Sequence, residues 1–240
     1  MLLEPPPTHL LEGASLFLDF DGTLVAIADR PDAILVDAGL PALLRQLVER
    51  LEGRVVLVSG RAASDVRAWL GPLDITVAGS HGLERPGAPA PTATATQAFQ
   101  PLRDLTQRVA GLLLEEKPLG AALHYRQAPE AEELCRAAVT AVAAASGLAV
   151  QPGKMVFELK PAGGDKGSAV TAIMAEPPFR GTRPFFIGDD LTDEHGFAAA
   201  AALGGAGILV GEPRTTAATF ALADVPAVHT WLAQAAEALA

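Results

Sequence analysis

Short apolar runs alternate with amphipathic stretches at both ends of the chain. Residues 15–18 form a buried-strand run, leucines recur at helical spacing over 39–51, and a second apolar run covers 54–58. Residues 62–70 predict a helix and 74–78 a strand. After residue 160 the alternation resumes, with helices over 167–174, 193–203 and 227–238 and strands over 184–187 and 208–210. Strands that are apolar throughout and separated by helices belong to βαβ units, whose parallel sheet is covered on both faces. The expectation is an α/β, Rossmann-like parallel-sheet core.

The middle of the chain breaks this pattern. A turn-rich stretch, PGAPAP followed by TATAT, has no period of its own. Beyond it the spacing predicts a helix over 99–114, a strand over 121–126 and a helix over 130–145. Two strands, 148–151 and 155–160, complete the set. We therefore expect an inserted α+β domain over 83–160, with 1–82 and 161–240 forming the core. The Gly- and Pro-containing connections near 83–91 and 160–164 are candidate hinges. Charge divides the chain the same way. The whole carries 18 − 28 = −10, whereas 83–160 holds eight acidic and eight basic residues, so the flanking parts carry the entire excess.

Composition narrows the classes. With 50% apolar residues in 240, the chain can build a core, which excludes a disordered tail protein. No apolar run approaches the ~20 residues that span a bilayer, so no membrane partner is expected. An acidic chain without Lys/Arg runs offers nothing to a nucleic-acid backbone. Cys135 is the single cysteine, which leaves no intramolecular disulfide or Cys-based zinc site and makes a reducing cytoplasm the simplest compartment. The N-terminal MLLEPPPTHLLEG lacks a basic region and reads as a leader other than a secretory signal.

The chemistry lies in carboxylates. Asp19-Phe20-Asp21-Gly22-Thr23-Leu24 directly follows the first predicted strand, at the lip where α/β folds place their sites. One carboxylate can act as nucleophile and the other as general acid/base, and a hard cation would offset their repulsion. A second acidic segment, Gly188-Asp189-Asp190-Leu191-Thr192-Asp193-Glu194, also follows a buried strand. Oxygen donors without cysteine point to Mg2+, although Thr192 and Asp193 would also cap a helix. Ser59-Gly60-Arg61 ends one strand and opens a helix, where an anion would bind, and Lys166 sits at another helix start.

These four motifs, in this order, resemble those of the haloacid dehalogenase superfamily of Mg2+-dependent phosphohydrolases, with a type-2 cap as the insertion. More narrowly, DFDGTL, SGR, Gly79-Ser80-His81-Gly82-Leu83-Glu84, His124-Tyr125-Arg126 and GDDLTDEHGF are similar to trehalose-6-phosphate phosphatases. The resemblance implies that Asp19 forms an aspartyl-phosphate and that Asp21 serves as acid and then base. It implies Mg2+ held by Asp19, the Asp21 backbone carbonyl and Asp189, with Asp190 as a further metal residue and Asp193 behind. Ser59 and Lys166 would hold the transferring phosphoryl group, and Gly60 and Arg61 would bind substrate.

The sugar would be read by the cap, through Lys117, His124, Arg126 and Glu158. His124 with Arg126, and Glu158 with Lys160, share faces if both segments are strands. His81 is as readily a turn histidine as a substrate ligand, His195 stands behind the site, Cys135 reads as a helix-face or core thiol, and Trp69 and Trp231 read as core. The expected protein is a monomeric cytoplasmic phosphatase of trehalose 6-phosphate, acting in trehalose biosynthesis. Two alternatives stay open: another sugar-phosphate phosphatase of the superfamily, acting on sucrose phosphate, a glycosylglycerate phosphate or a hexose phosphate, and a catalytically inactive phosphosugar sensor.

Overall fold

The computed structural model of the chain describes residues 3–28, 30–87, 96–117, 119–161 and 164–240. Most of the turn-rich stretch (88–95) and part of the second candidate hinge (162–163) lie outside the described residues. Two units divide the chain, one of Met1–Ala88 with Asp165–Ala240 and the other of Pro89–Gly164.

The first unit is built on a six-stranded parallel sheet. Its strands are β1 (Ala14–Leu18), β2 (Val55–Val58), β3 (Thr76–Ala78), β8 (Arg183–Gly188), β9 (Ala206–Val210) and β10 (Phe220–Leu222), in the order β10-β9-β8-β1-β2-β3. Alternation along each strand splits the apolar side chains between two cores. Leu16, Leu18, Val55, Leu57, Phe185 and Ile187 join α1 (Leu40–Arg50), α2 (Ala63–Leu70) and α7 (Val225–Ala238). Phe17, Val56, Val58, Phe186 and Leu209 face the other way, against α5 (Lys166–Met174) and α6 (Glu194–Ala202). Each fully buried phenylalanine here contributes about 1.5–3 kcal/mol relative to exposure. This is the α/β parallel-sheet core that the apolar strand runs predict. Strand β10, paired parallel to β9 at the sheet edge, is an addition to the strands expected.

The second unit carries a four-stranded antiparallel sheet ordered β4-β5-β7-β6: β4 (Leu113–Lys117), β5 (Gly120–His124), β6 (Leu148–Gly153) and β7 (Val156–Pro161). Helices α3 (Gln100–Arg108) and α4 (Glu132–Ser146) pack on one face through Leu102, Leu105, Cys135, Val139, Leu123, Phe157 and Leu159. The predicted helix over 99–114 is corrected here. It ends at Arg108, Gly111 turns the chain at φ +86°, and residues 113–117 leave as β4. A Cβ at Gly111 would collide with the carbonyl of Gln127, so the turn needs glycine for space as well as for φ.

Candidate active site

Strands β8, β1 and β2 are neighbours, so the loops that leave their C-terminal ends emerge side by side. The first brings Asp189, the second Asp19 and the third Ser59. Asp19 is anchored by its own N–H, which donates to the Ile187 carbonyl at 2.9 Å. Gly22 then reverses the chain at φ +88°, and a Cβ there would collide with the Asp189 carboxylate. At Gly188 a Cβ would strike the carboxylate of Asp193. Both glycines are the room in which the acidic side chains sit.

Lys166, the first residue of α5, is held at its post by a capping box between Asp165 and Ser168. Its buried ammonium donates to Asp19 Oδ1 and to Asp193 Oδ1, at 2.6 Å each. Burial works against that charge, but the two carboxylates outweigh it and hold the lysine above its ordinary pKa. Burial raises Asp19 well above the usual carboxylate range, with Lys166 opposing and Asp193 and Asp189 adding to the rise. Asp189 is pushed up to about 7, by burial first and then by Asp193.

Asp19, Asp189 and Asp193 each present an oxygen within 4.8 Å of the others. Asp189 Oδ1 is buried with no hydrogen-bond partner. An all-oxygen donor set with one orphaned buried oxygen fits a hard divalent cation. Asp190 stands outside that trio. Its carboxylate accepts from the Leu191 N–H at 2.6 Å, capping the 3-10 turn Leu191–Asp193. Asp193 instead joins the cluster, with its Oδ2 accepting from the Asp190 N–H at 2.9 Å.

Asp21 is engaged differently. Arg61 Nε and Nη2 donate to its two carboxylate oxygens, both at 2.6 Å. The guanidinium lies 4.6 Å from the Trp69 ring centroid, and Trp69 stacks on Phe20. Ser59 is fully buried, and its hydroxyl accepts from the Arg61 N–H at 3.1 Å. Backbone bonds from His81 N to Ser59 O (2.9 Å) and from Ser80 N to Arg61 O (2.7 Å) zip this loop to a second turn. Ser80 and His81 both adopt positive φ, 48° and 57°, and a Cβ at Gly60 would collide with the His81 imidazole. His81 thus shapes the serine loop, and the Ser80 hydroxyl and the Glu84 carboxylate pin the turn.

In the second unit, the sheet face opposite the helices is polar. Strand alternation and register align Glu115, Ala122, Glu158 and Gln151 across it. Lys117 pairs with Glu158, and His124 Nε2 lies 2.9 Å from Glu115. Lys117, His124 and Glu158 are therefore together. Arg126 lies two residues past the end of β5 and donates to the Lys154 carbonyl at 3.4 Å. Glu115 was not foreseen, because the helix expected over 99–114 took in the first two residues of β4 and left no strand there to aim it.

The sequence pattern of the trehalose-phosphatase family matches residues 17–226. The chain belongs to the trehalose-phosphatase family. A probable trehalose-phosphate phosphatase of Sinorhizobium fredii (strain NBRC 101917 / NGR234) is 40% identical over 229 residues, covering 91% of this chain and 85% of that protein. The trehalose-6-phosphate phosphatase of Escherichia coli (strain K12) is 38% identical over 231 residues, covering 93% and 86%. The crystal structure of a trehalose-6-phosphate phosphatase related protein superposes with a TM-score of 0.75 at 28% identity, covering 91% of this chain and 95% of that one. As a member of the trehalose-phosphatase family, the chain is a phosphomonoester hydrolase. The matched span of the family includes both acidic loops, the serine loop, Lys166 and the whole polar face of the second unit.

Proposed function

We propose that this protein is a Mg2+-dependent phosphatase that hydrolyses trehalose 6-phosphate to trehalose and orthophosphate, in trehalose biosynthesis. The observation that carries the reading is the buried Lys166 holding Asp19 beside the orphaned oxygen of Asp189, with Asp21 two residues further on. Residues 1–82 and 161–240 serve as the catalytic core and 83–160 as the substrate-reading cap.

In this mechanism the Asp19 carboxylate attacks phosphorus, and the bond from phosphorus to the sugar oxygen breaks. Asp21 gives that oxygen its proton, so that trehalose leaves and an aspartyl-phosphate remains. The Asp21 carboxylate then takes a proton from water as the water attacks phosphorus. The bond to Asp19 breaks and orthophosphate departs. Lys166 and the Ser59 hydroxyl hold the phosphoryl oxygens, which is most of what phosphoryl transfer requires. Asp19, Asp189 and the Asp21 carbonyl would hold Mg2+, which when bound supplies the charge that offsets carboxylates and phosphate together. Arg61 has to release Asp21 before that carboxyl can carry a proton to the sugar oxygen.

Beyond its phosphate the disaccharide presents hydroxyls and ether oxygens, with no further charge. Glu115, Lys117, His124 and Glu158 supply acceptors and donors on one face to meet them. The test is phosphate release from trehalose 6-phosphate beside sucrose 6-phosphate, glucose 6-phosphate and mannosylglycerate phosphate. Each is run with Mg2+, with EDTA and with Asp19→Asn. Preference for trehalose 6-phosphate, lost with EDTA and in the variant, is the expected result. Better turnover of another ester would keep the aspartate chemistry and discard the reading of the polar face.

A further inference from the structure

One side chain reaches the acidic loop from outside every motif discussed so far. Strand β9 runs parallel beside β8, so the loop leaving β9 emerges next to the loop that carries Asp189. Arg214 stands on that neighbouring loop. Its Nη2 donates to the main-chain carbonyl of Asp190 at 2.9 Å and approaches that of Asp189 at 3.5 Å. Its Nη1 pairs with the Glu194 carboxylate, whose other oxygen accepts from the Ala217 N–H at 2.8 Å. Arginine and glutamate are both largely shielded, at 23% and 24% side-chain exposure, so water weakens the pairing less than it would at the surface.

The acidic loop is therefore held at the Asp190 carbonyl, with that of Asp189 beside it, by one nitrogen of a planar fork whose other nitrogen is fixed by Glu194, the first residue of α6. A guanidinium so near an acidic cluster would repel a cation if it stood alone. Glu194 cancels that charge while Arg214 keeps its grip. We propose that Arg214, charge-balanced by Glu194, is a positioning residue that sets the Asp189 main chain, and so its carboxylate, for the divalent cation. The proposal rests on the metal-site reading above. Groups that orient a metal ligand through its hydrogen bonds commonly alter metal affinity ~10–100-fold when removed.

The experiment is calorimetric titration of Mg2+ into the full-length protein and into Arg214→Ala, Arg214→Lys and Glu194→Gln, alongside KM for trehalose 6-phosphate at saturating Mg2+. Arg214→Ala should bind Mg2+ about 10-fold or more weakly, with KM at saturating metal unchanged. Arg214→Lys keeps the charge without the fork and should lose affinity as well. Glu194→Gln can still accept from Ala217 but leaves the guanidinium uncompensated, so its Mg2+ affinity should fall while its melting temperature in EDTA stays near that of the parent. Wild-type Mg2+ affinity in folded variants, even with a lowered melting temperature, would overturn the proposal and leave the metal site standing. If Arg214→Ala does not fold, the other two variants decide. Failure of the parent protein to bind Mg2+ would overturn the metal-site reading and the Arg214 proposal with it.

Discussion

Lys166 satisfies two carboxylates at once, and both the lysine and Asp193 are buried. Taking away one partner of such a buried group leaves uncompensated charge. Lys166→Met should therefore destabilise the protein by about 3–5 kcal/mol, read by urea unfolding in EDTA, and should lower turnover at least ~100-fold. Near-parental stability would mean that the aspartates find another counter-charge. The raised carboxyls give a second prediction. A carboxyl whose folded pKa exceeds its unfolded value of about 3.9 stabilises the fold while protonated, and this contribution is lost as pH rises. For Asp189 the loss runs from about pH 4 to about 7. A divalent ion needs the ionised form. The melting-temperature gain on adding Mg2+ should thus grow between pH 5.5 and 7.5, and a gain independent of pH would count against Asp189 as a ligand. Asp19, Asp21, Ser59, Lys166 and Asp189 were legible because each stands at the end of an apolar strand or the start of a helix. The partners of Asp190 and Asp193 were not, since hydrogen bonds inside a seven-residue acidic loop depend on backbone turns that spacing alone does not fix.

At the level of elements, the strands buried on both faces announced themselves through continuous apolar runs, and every helix of the parallel-sheet unit lies where the leucine and alanine spacing puts it. Strand β4 escaped because Leu113-Leu114-Glu115-Glu116-Lys117 continues the composition of the helix before it, and only the turn at Gly111 separates the two. Helix α5 shows how an element delivers chemistry. Its capping box fixes the first turn, and the first turn carries Lys166. Asp165→Ala removes one side of the box and should cost about 1 kcal/mol of stability, measured by denaturant unfolding. Its turnover should fall further than that loss alone accounts for, because the start of the helix frays where the lysine is mounted. A stability loss with full turnover would show that Asp19 and Asp193 hold the lysine without help from the cap.

On the scale of the whole molecule, the acidic cluster and the polar sheet face belong to different units with separate cores. Adding Mg2+ to the sugar-free protein should slow hydrogen exchange around 14–24, 166–174 and 183–194, and leave 113–160 unchanged. Protection spreading through the antiparallel sheet would mean that metal binding is felt in the second unit as well. The charge division predicts the same partition, since the neutral insert has little to gain from a cation. The chain has two indoles, and they are placed very unequally. Trp231 is buried and donates to the Pro6 carbonyl at 2.8 Å. Trp69 stacks on Phe20 and also meets the guanidinium that grips Asp21. A cation against the face of an indole alters its emission, so the protein carries its own optical reporter: with Trp231 replaced by phenylalanine, the colour and intensity of the remaining fluorescence should register in real time whether Asp21 is held or free.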